Sequence, residues 1–67
     1  MSVARVTEIT ASSPDGFDAA CQVGVERAAK TLQNITSAWV QDQKVVVVDG
    51  KITEYRVNMK VSFVLND

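Results

Sequence analysis

Histidine is absent from this 67-residue chain, and cysteine occurs once, at Cys21. A single cysteine excludes an intrachain disulfide, and one thiol without histidine is a poor ligand set for structural zinc. The absence of histidine also excludes a catalytic triad or a Cys–His pair. No glycine-rich phosphate-binding loop is present. The sequence therefore predicts a protein that is not an enzyme.

An excess of charge of one sign is also lacking, because the chain has seven Lys and Arg and eight Asp and Glu, for a net charge of -1. The basic residues are spread along the chain without a cluster, so nucleic acid is not an expected partner. The first residues form no signal-peptide core, and no apolar run is long enough to span a membrane. Together with a free cysteine, this pattern favours a protein of the reducing cytoplasm.

The chain is long enough for one domain, which we expect to cover residues 1–67. A core of this size supplies only a few kcal/mol of stability. Because a disulfide and a zinc site are excluded, the remaining sources of stability are self-association and unusually good packing.

The first half of the chain predicts a strand followed by a helix. Val3 to Thr10 is rich in β-branched residues and predicts a strand. Ser13 is then suited to cap a helix, with Pro14 at the first helical position. Gly24 lies on the apolar helix face and disfavours a helix by about 1 kcal/mol, which indicates close packing against a sheet. The apolar face comprises Phe17, Ala20, Cys21, Gly24, Val25, Ala28 and Leu32. On this face, we expect Cys21 to be a buried, inert thiol.

The second half predicts a long β-hairpin. Ala38 to Val48 has β character, and Asp49-Gly50 is typical of a type I′ turn. In the last strand, apolar residues from Tyr55 to Leu65 alternate with polar ones. The predicted fold class is α+β, in the order β-α-β-β, with a three-stranded antiparallel sheet wrapped on one helix.

One helix covers only part of such a sheet. The four consecutive valines, residues 45–48, are apolar on both faces of their strand. The long hairpin also exposes unpaired backbone groups at its edge. Both features predict partner subunits, and a marginal monomer is the alternative.

Trp39 is the only tryptophan. With regular alternation, Trp39 shares a polar face with Ser37, Gln41 and Gln43, opposite Ala38, Val40 and Asp42. It is either a stacking platform for a planar ligand, an interface anchor, or a cover for the sheet edge or the helix end.

A set of short motifs extends over nearly the whole chain. They are the opening strand, Ser12-Ser13-Pro14-Asp15-Gly16, Glu26-Arg27-Ala28 with Lys30-Thr31-Leu32, Glu54-Tyr55-Arg56-Val57, and Lys60-Val61-Ser62-Phe63. In these features the chain resembles the dodecins. The resemblance implies a β-α-β-β subunit that assembles into a hollow homododecamer. It implies a storage or scavenging role, with riboflavin or FMN stacked between tryptophans. Some members instead bind Ca2+ and lack the flavin tryptophan.

The chain departs from the flavin-binding pattern at two of the main flavin contacts. In a gap-free alignment the stacking tryptophan falls on Ser37, and the glutamine that bonds the flavin edge falls on Arg56. A basic position near the cofactor phosphate is kept at Lys44, and another falls on Val64. Because Trp39 faces the same way as Ser37, the expected ligand-binding residues are Ser37, Trp39, Lys44 and Arg56. The alternative is a flavin-free, calcium-binding shell, whose ligands have to be shared between subunits because calcium takes six to eight oxygens.

Overall fold

The computed structural model describes residues 2–65. It contains β1 (Ala4–Ser13), α1 (Phe17–Ala29), β2 (Ile35–Val48) and β3 (Lys51–Val64). The predicted order β-α-β-β is confirmed. None of the described helices is long and apolar enough to cross a membrane.

The central strand of the sheet is β3, in the order β1-β3-β2, and both neighbours pair with it in antiparallel orientation. Alternation along β3 gives the sheet two different faces. Val57, Met59 and Val61 are buried on the face that we call the inner face. Arg56, Asn58, Lys60 and their cross-strand partners lie on the opposite, outer face.

The core lies between α1 and the inner face over β1 and β3. Ala20 of the helix packs with Ala11, Val57 and Met59, and all four are buried. The ring of Phe17 meets that of Tyr55 edge to face, with centroids 5.1 Å apart, a favourable arrangement for aromatic pairs. The predicted apolar helix face is confirmed from Phe17 to Ala28, whereas Leu32 lies beyond the end of α1 at Ala29. Cys21 lies on this face against the core, and it is half-buried rather than buried as predicted.

Gly24 lets the helix approach the sheet closely, as the sequence predicted. A Cβ atom at this position would lie 3.0 Å from the Cβ of Ala11 and 3.4 Å from Cδ1 of Ile9. Ala11 cannot relieve such a contact by a side-chain rotation, because its Cβ moves only with the β1 backbone.

Gly24→Val is therefore expected to destabilise the fold by about 1–3 kcal/mol through overpacking. Its matched control is Ala29→Val, which adds bulk at the exposed end of the same helix. Chemical denaturation monitored by circular dichroism measures both variants. Equal stability of the two variants would contradict the close contact.

The helix starts later than predicted. It begins at Phe17 after an N-cap at Gly16, without a side-chain capping hydrogen bond. Ser13 is buried and still belongs to β1, where it pairs with Tyr55. Its Oγ accepts a hydrogen bond of 3.1 Å from the backbone N–H of Asp15. The predicted Ser13 cap is therefore wrong, because this residue stabilises the turn that precedes the helix. Gly16 allows that turn, since its φ of 147° disfavours other residues.

The hairpin turn matches the prediction. Asp49 and Gly50 have φ of 52° and 76°, and positive values at both central residues are the mark of a type I′ turn.

The pairing of β1 ends where Ser13 meets Tyr55, so residues 51–54 of β3 pair only with β2. The end of the hairpin therefore projects beyond β1 in a molecule that measures 51 × 19 × 14 Å.

Candidate ligand-binding face

The four predicted ligand-binding residues all lie on the outer face. Ser37 pairs with Ser62, Trp39 pairs with Lys60, and Lys44 pairs with Arg56. Directly paired residues project to the same side of a sheet. Trp39 is 47% exposed there, so its indole is available to another molecule.

A β-bulge determines which residues accompany Trp39. The register shifts between Val40 and Asp42, which leaves Gln41 as the extra residue in β2. Beyond the bulge, alternation resumes with the opposite parity. Asp42 pairs with Asn58 on the outer face, and Gln43 pairs with Val57 on the inner face. The predicted grouping of Trp39 with Gln43, opposite Asp42, is therefore wrong.

The bulge also turns Lys44 towards the side of Trp39. With unbroken alternation, an odd-numbered tryptophan and an even-numbered lysine of one strand lie on opposite faces. The single extra residue at Gln41 brings both onto the outer face, where Lys44 lies opposite Arg56. The aromatic and cationic residues of the candidate site share a surface for this reason.

A row of hydrogen bonds crosses the sheet between the aromatic and the cationic positions. Thr10 Oγ1 donates to Asn58 Oδ1 over 2.7 Å, and Asn58 Nδ2 donates to Asp42 Oδ1 over 2.5 Å. The Asn58 carboxamide is thereby held between β1 and β2. Sequence reasoning missed this row, because the three residues come together only through strand pairing.

Arg56 is partly neutralised by an acid on its own strand. Its Nε lies 3.5 Å from Oε1 of Glu54. A side-chain hydrogen bond from Ser12, and then the bond and charge of Arg56, lower the pKa of Glu54 below its usual value. This contact involves Nε of Arg56, which leaves other N–H donors of the guanidinium for a ligand.

The hydrogen bond from Ser12, which lowers the pKa of Glu54 most, can be tested by removing the Ser12 hydroxyl. Ser12→Ala is expected to raise the pKa of Glu54 towards its ordinary value, which NMR titration of the carboxyl group measures. The pKa of Glu54 is lower in the folded protein than in the unfolded chain. Its contribution to folding stability is therefore present at pH values above the unfolded-state pKa, and is lost as the pH falls through the folded-state pKa. Ser62→Ala, on the same face, serves as the control and leaves the Glu54 titration unchanged. An unshifted pKa in Ser12→Ala would contradict the hydrogen bond.

The outer face thus carries three neighbouring rows of side chains that differ in their chemistry. Trp39 and Lys60 form one row, the Thr10–Asn58–Asp42 hydrogen bonds form the next, and Lys44 with Arg56 forms the third. Lys60 and Arg56 are four residues apart in one strand, so the first and third rows are separated by about 13 Å. Such a face is suited to a planar group, a hydrogen-bonding spacer and an anionic end.

The described residues do not bring metal-ligating side chains together. Between residues 2 and 65, no group of three or more His, Cys, Asp or Glu side chains is placed to hold a metal ion. The surface of the same part of the chain contains no pocket, so the outer face is open.

Comparison with known proteins gives a consistent result. A calcium dodecin of Mycobacterium tuberculosis is 39% identical over 64 residues, which cover 94% of this chain and 89% of that relative. The structure of a dodecin from Streptomyces davaonensis superposes with a TM-score of 0.94 at 38% identity, covering 98% of this chain and 97% of the other. A crystal structure of the Mycobacterium tuberculosis calcium dodecin, described as having a novel calcium-binding site, gives a TM-score of 0.83 at 34% identity, with 96% and 91% covered.

The match extends over almost the whole chain, since the family model described as Dodecin covers residues 3–66. The strand order, the helix and the three-stranded antiparallel sheet agree with these structures at the TM-scores given above. The sequence resemblance and the fold thus lead to the same assignment: the chain belongs to the dodecin family.

Proposed function

We propose that this protein is a cytoplasmic homododecamer that binds and stores a small planar ligand without catalysing a reaction. The observation that carries the proposal is the shared outer face, on which exposed Trp39 lies in line with Lys44 and Arg56. An exposed tryptophan is suited to stacking against a planar ring. The membership of the dodecin family supports both the assembly and the binding role.

The ligand that fits this face best is a flavin or a related planar molecule with an anionic group. Ser37 lacks a ring, so stacking falls to Trp39, one row along the sheet. Arg56 has only donors and cannot accept a hydrogen bond from a flavin N–H. It does attract phosphate or carboxylate, together with Lys44. FMN is therefore favoured over neutral riboflavin.

A calcium-binding shell is the second candidate. It is favoured by the 39% identity to a protein described as a calcium dodecin. Calcium takes six to eight oxygen ligands, and the described residues of one subunit bring no three acids together. A calcium site in this protein would therefore be shared between subunits.

Two measurements on the purified protein test these proposals. Light scattering at micromolar concentration is expected to give twelve copies of the 7.3 kDa chain, about 88 kDa. A monomer or dimer would contradict the assembly. The absorption spectrum distinguishes the candidates, because a flavin-loaded preparation is yellow and a calcium shell is colourless.

Titration with FMN then follows the fluorescence of Trp39, which reports on a single position because the chain has one tryptophan. Saturable quenching by FMN, weakened in Lys44→Ala, is the expected result. Equal binding of FMN by the Lys44→Ala variant would contradict the role of the cationic row.

A further inference from the structure

The two cations of the outer face differ in how they meet their acidic neighbours. Lys44 and Arg56 lie directly opposite each other in β2 and β3. Arg56 is paired with Glu54, whose Oε1 lies 3.5 Å from its Nε. Lys44 also has an acid nearby, because Asp42 lies two residues away on the same strand and the same face. Within residues 2–65, however, no ion pair joins Lys44 to an acid.

The separation of Asp42 and Lys44 does not explain why they are unpaired. Two residues along a strand place their Cα atoms about 6.6 Å apart. The ammonium group of lysine is carried on a flexible four-carbon chain, which is long enough to reach a carboxylate at that distance. Both residues are exposed, so solvent leaves their side chains free to turn towards each other. The cause therefore lies in a contact that holds Asp42.

That contact comes from Asn58 on the neighbouring strand. Nδ2 of Asn58 donates to Oδ1 of Asp42 over 2.5 Å, across the pair that these residues form. Oδ1 of the same carboxamide accepts a hydrogen bond of 2.7 Å from Thr10, so its N–H groups are directed at β2. A hydrogen bond to an ionised acceptor is roughly twice as strong as one between neutral groups. The carboxylate of Asp42 is thus turned across the sheet towards β3, whereas Lys44 lies along β2.

We propose that Asn58 is a positioning residue of the ligand-binding face, which holds Asp42 against β3 and thereby keeps Lys44 available for an anionic group of the ligand. This inference rests on the proposed role of Lys44 and names the residue that maintains it. Asn58 acts through Asp42 and not by touching the anion. Without its hydrogen bond, Asp42 pairs with Lys44 and competes with a phosphate for the same ammonium group.

Titration of Asn58→Val with FMN and with riboflavin, followed by the fluorescence of Trp39, tests the inference. Valine is well suited to a strand and has no side-chain N–H to donate. FMN binding is expected to weaken about two- to fivefold, the range by which an exposed ion pair changes an equilibrium. Riboflavin has no phosphate, and its binding is expected to be unchanged. Equal weakening for both ligands would assign Asn58 a merely structural role and overturn the inference.

A second substitution provides the rescue. Asp42→Asn removes the competing charge, so in the Asn58→Val protein it is expected to restore the affinity for FMN. The matched control is Thr53→Val, which removes a hydrogen bond of 3.3 Å to the backbone oxygen of Val46 and so acts between the same two strands. This control is expected to bind FMN like the unmodified protein. Absence of rescue, or an equal loss in Thr53→Val, would contradict the proposed positioning.

A measurement without ligand separates this inference from the proposed function. A double-mutant cycle of Asp42→Asn and Lys44→Ala gives the coupling of the two residues, from chemical denaturation at one protein concentration. We expect the coupling to change the unfolding equilibrium constant less than about twofold in the unmodified protein and about two- to fivefold in Asn58→Val. Equal coupling in both proteins would overturn the inference. Failure of the unmodified protein to bind FMN would instead refute the proposed ligand, and the cycle would still decide the role of Asn58.

Discussion

Val46→Asp is expected to convert the assembled protein into dissociated and unfolded chains. Val46 lies in the four-valine run and pairs with Glu54 on the outer face. The substitution places two carboxylates opposite each other, a destabilising cross-strand pair, and introduces a charge into an apolar segment. Because the subunit core is small, loss of the subunit contacts removes much of the stability of each chain.

Light scattering and circular dichroism at the same protein concentration measure the two effects together. Gln41→Asp is the matched control, since it introduces the same carboxylate into β2 at the exposed bulge. The control is expected to remain assembled and folded. A Val46→Asp protein of unchanged mass would show that Val46, a valine of the run that lies on the outer face with Lys44, is not part of a subunit contact.

Ser37→Trp combined with Arg56→Gln is expected to increase riboflavin affinity about 5- to 150-fold. This range corresponds to about 1–3 kcal/mol for one aromatic platform, with nucleobase stacking as the proxy. The new ring lies on the outer face in the row next to Trp39. Glutamine supplies the acceptor for a flavin N–H that the arginine lacks. The unmodified protein is expected to bind neutral riboflavin weakly.

Fluorescence quenching on titration of riboflavin measures the difference. Ser37→Ala combined with Arg56→Gln is the control, because it introduces the same glutamine and removes the hydroxyl without adding a ring, and it is expected to bind riboflavin more weakly than the tryptophan variant. Nanomolar binding by the unmodified protein would contradict this prediction. It would show that Trp39 alone performs the stacking.

Local patterns were sufficient to predict the elements of this fold. The alternation of apolar residues in β3, the helical spacing from Phe17 to Ala28, and Asp49-Gly50 each depend on neighbours within a few residues. The close approach at Gly24 was predictable because glycine is unfavourable inside a helix unless packing requires it. Element ends were less accurate, since β2 begins at Ile35 rather than at Ala38.

The candidate site was predictable only in part. Ser37, Lys44 and Arg56 came from the resemblance, Trp39 came from strand alternation as the only tryptophan, and the structure places all four on one face. Regular alternation could not place Lys44 on the same face as Trp39, because a bulge is a property of two paired strands and not of one. The contacts of Asn58 with Thr10 and Asp42 likewise join residues from three strands.

The sequence by itself determined the element order, the hairpin turn and the apolar faces, because these follow from backbone preferences and from the periods of helix and strand. Only the tertiary structure decided which face each β2 residue occupies and which part of the sheet the helix covers. The extra residue at Gln41 reverses the alternation of β2, and the short pairing of β1 leaves Val47 and Ile52 exposed. Both outcomes arise from register between distant segments, which no local pattern encodes.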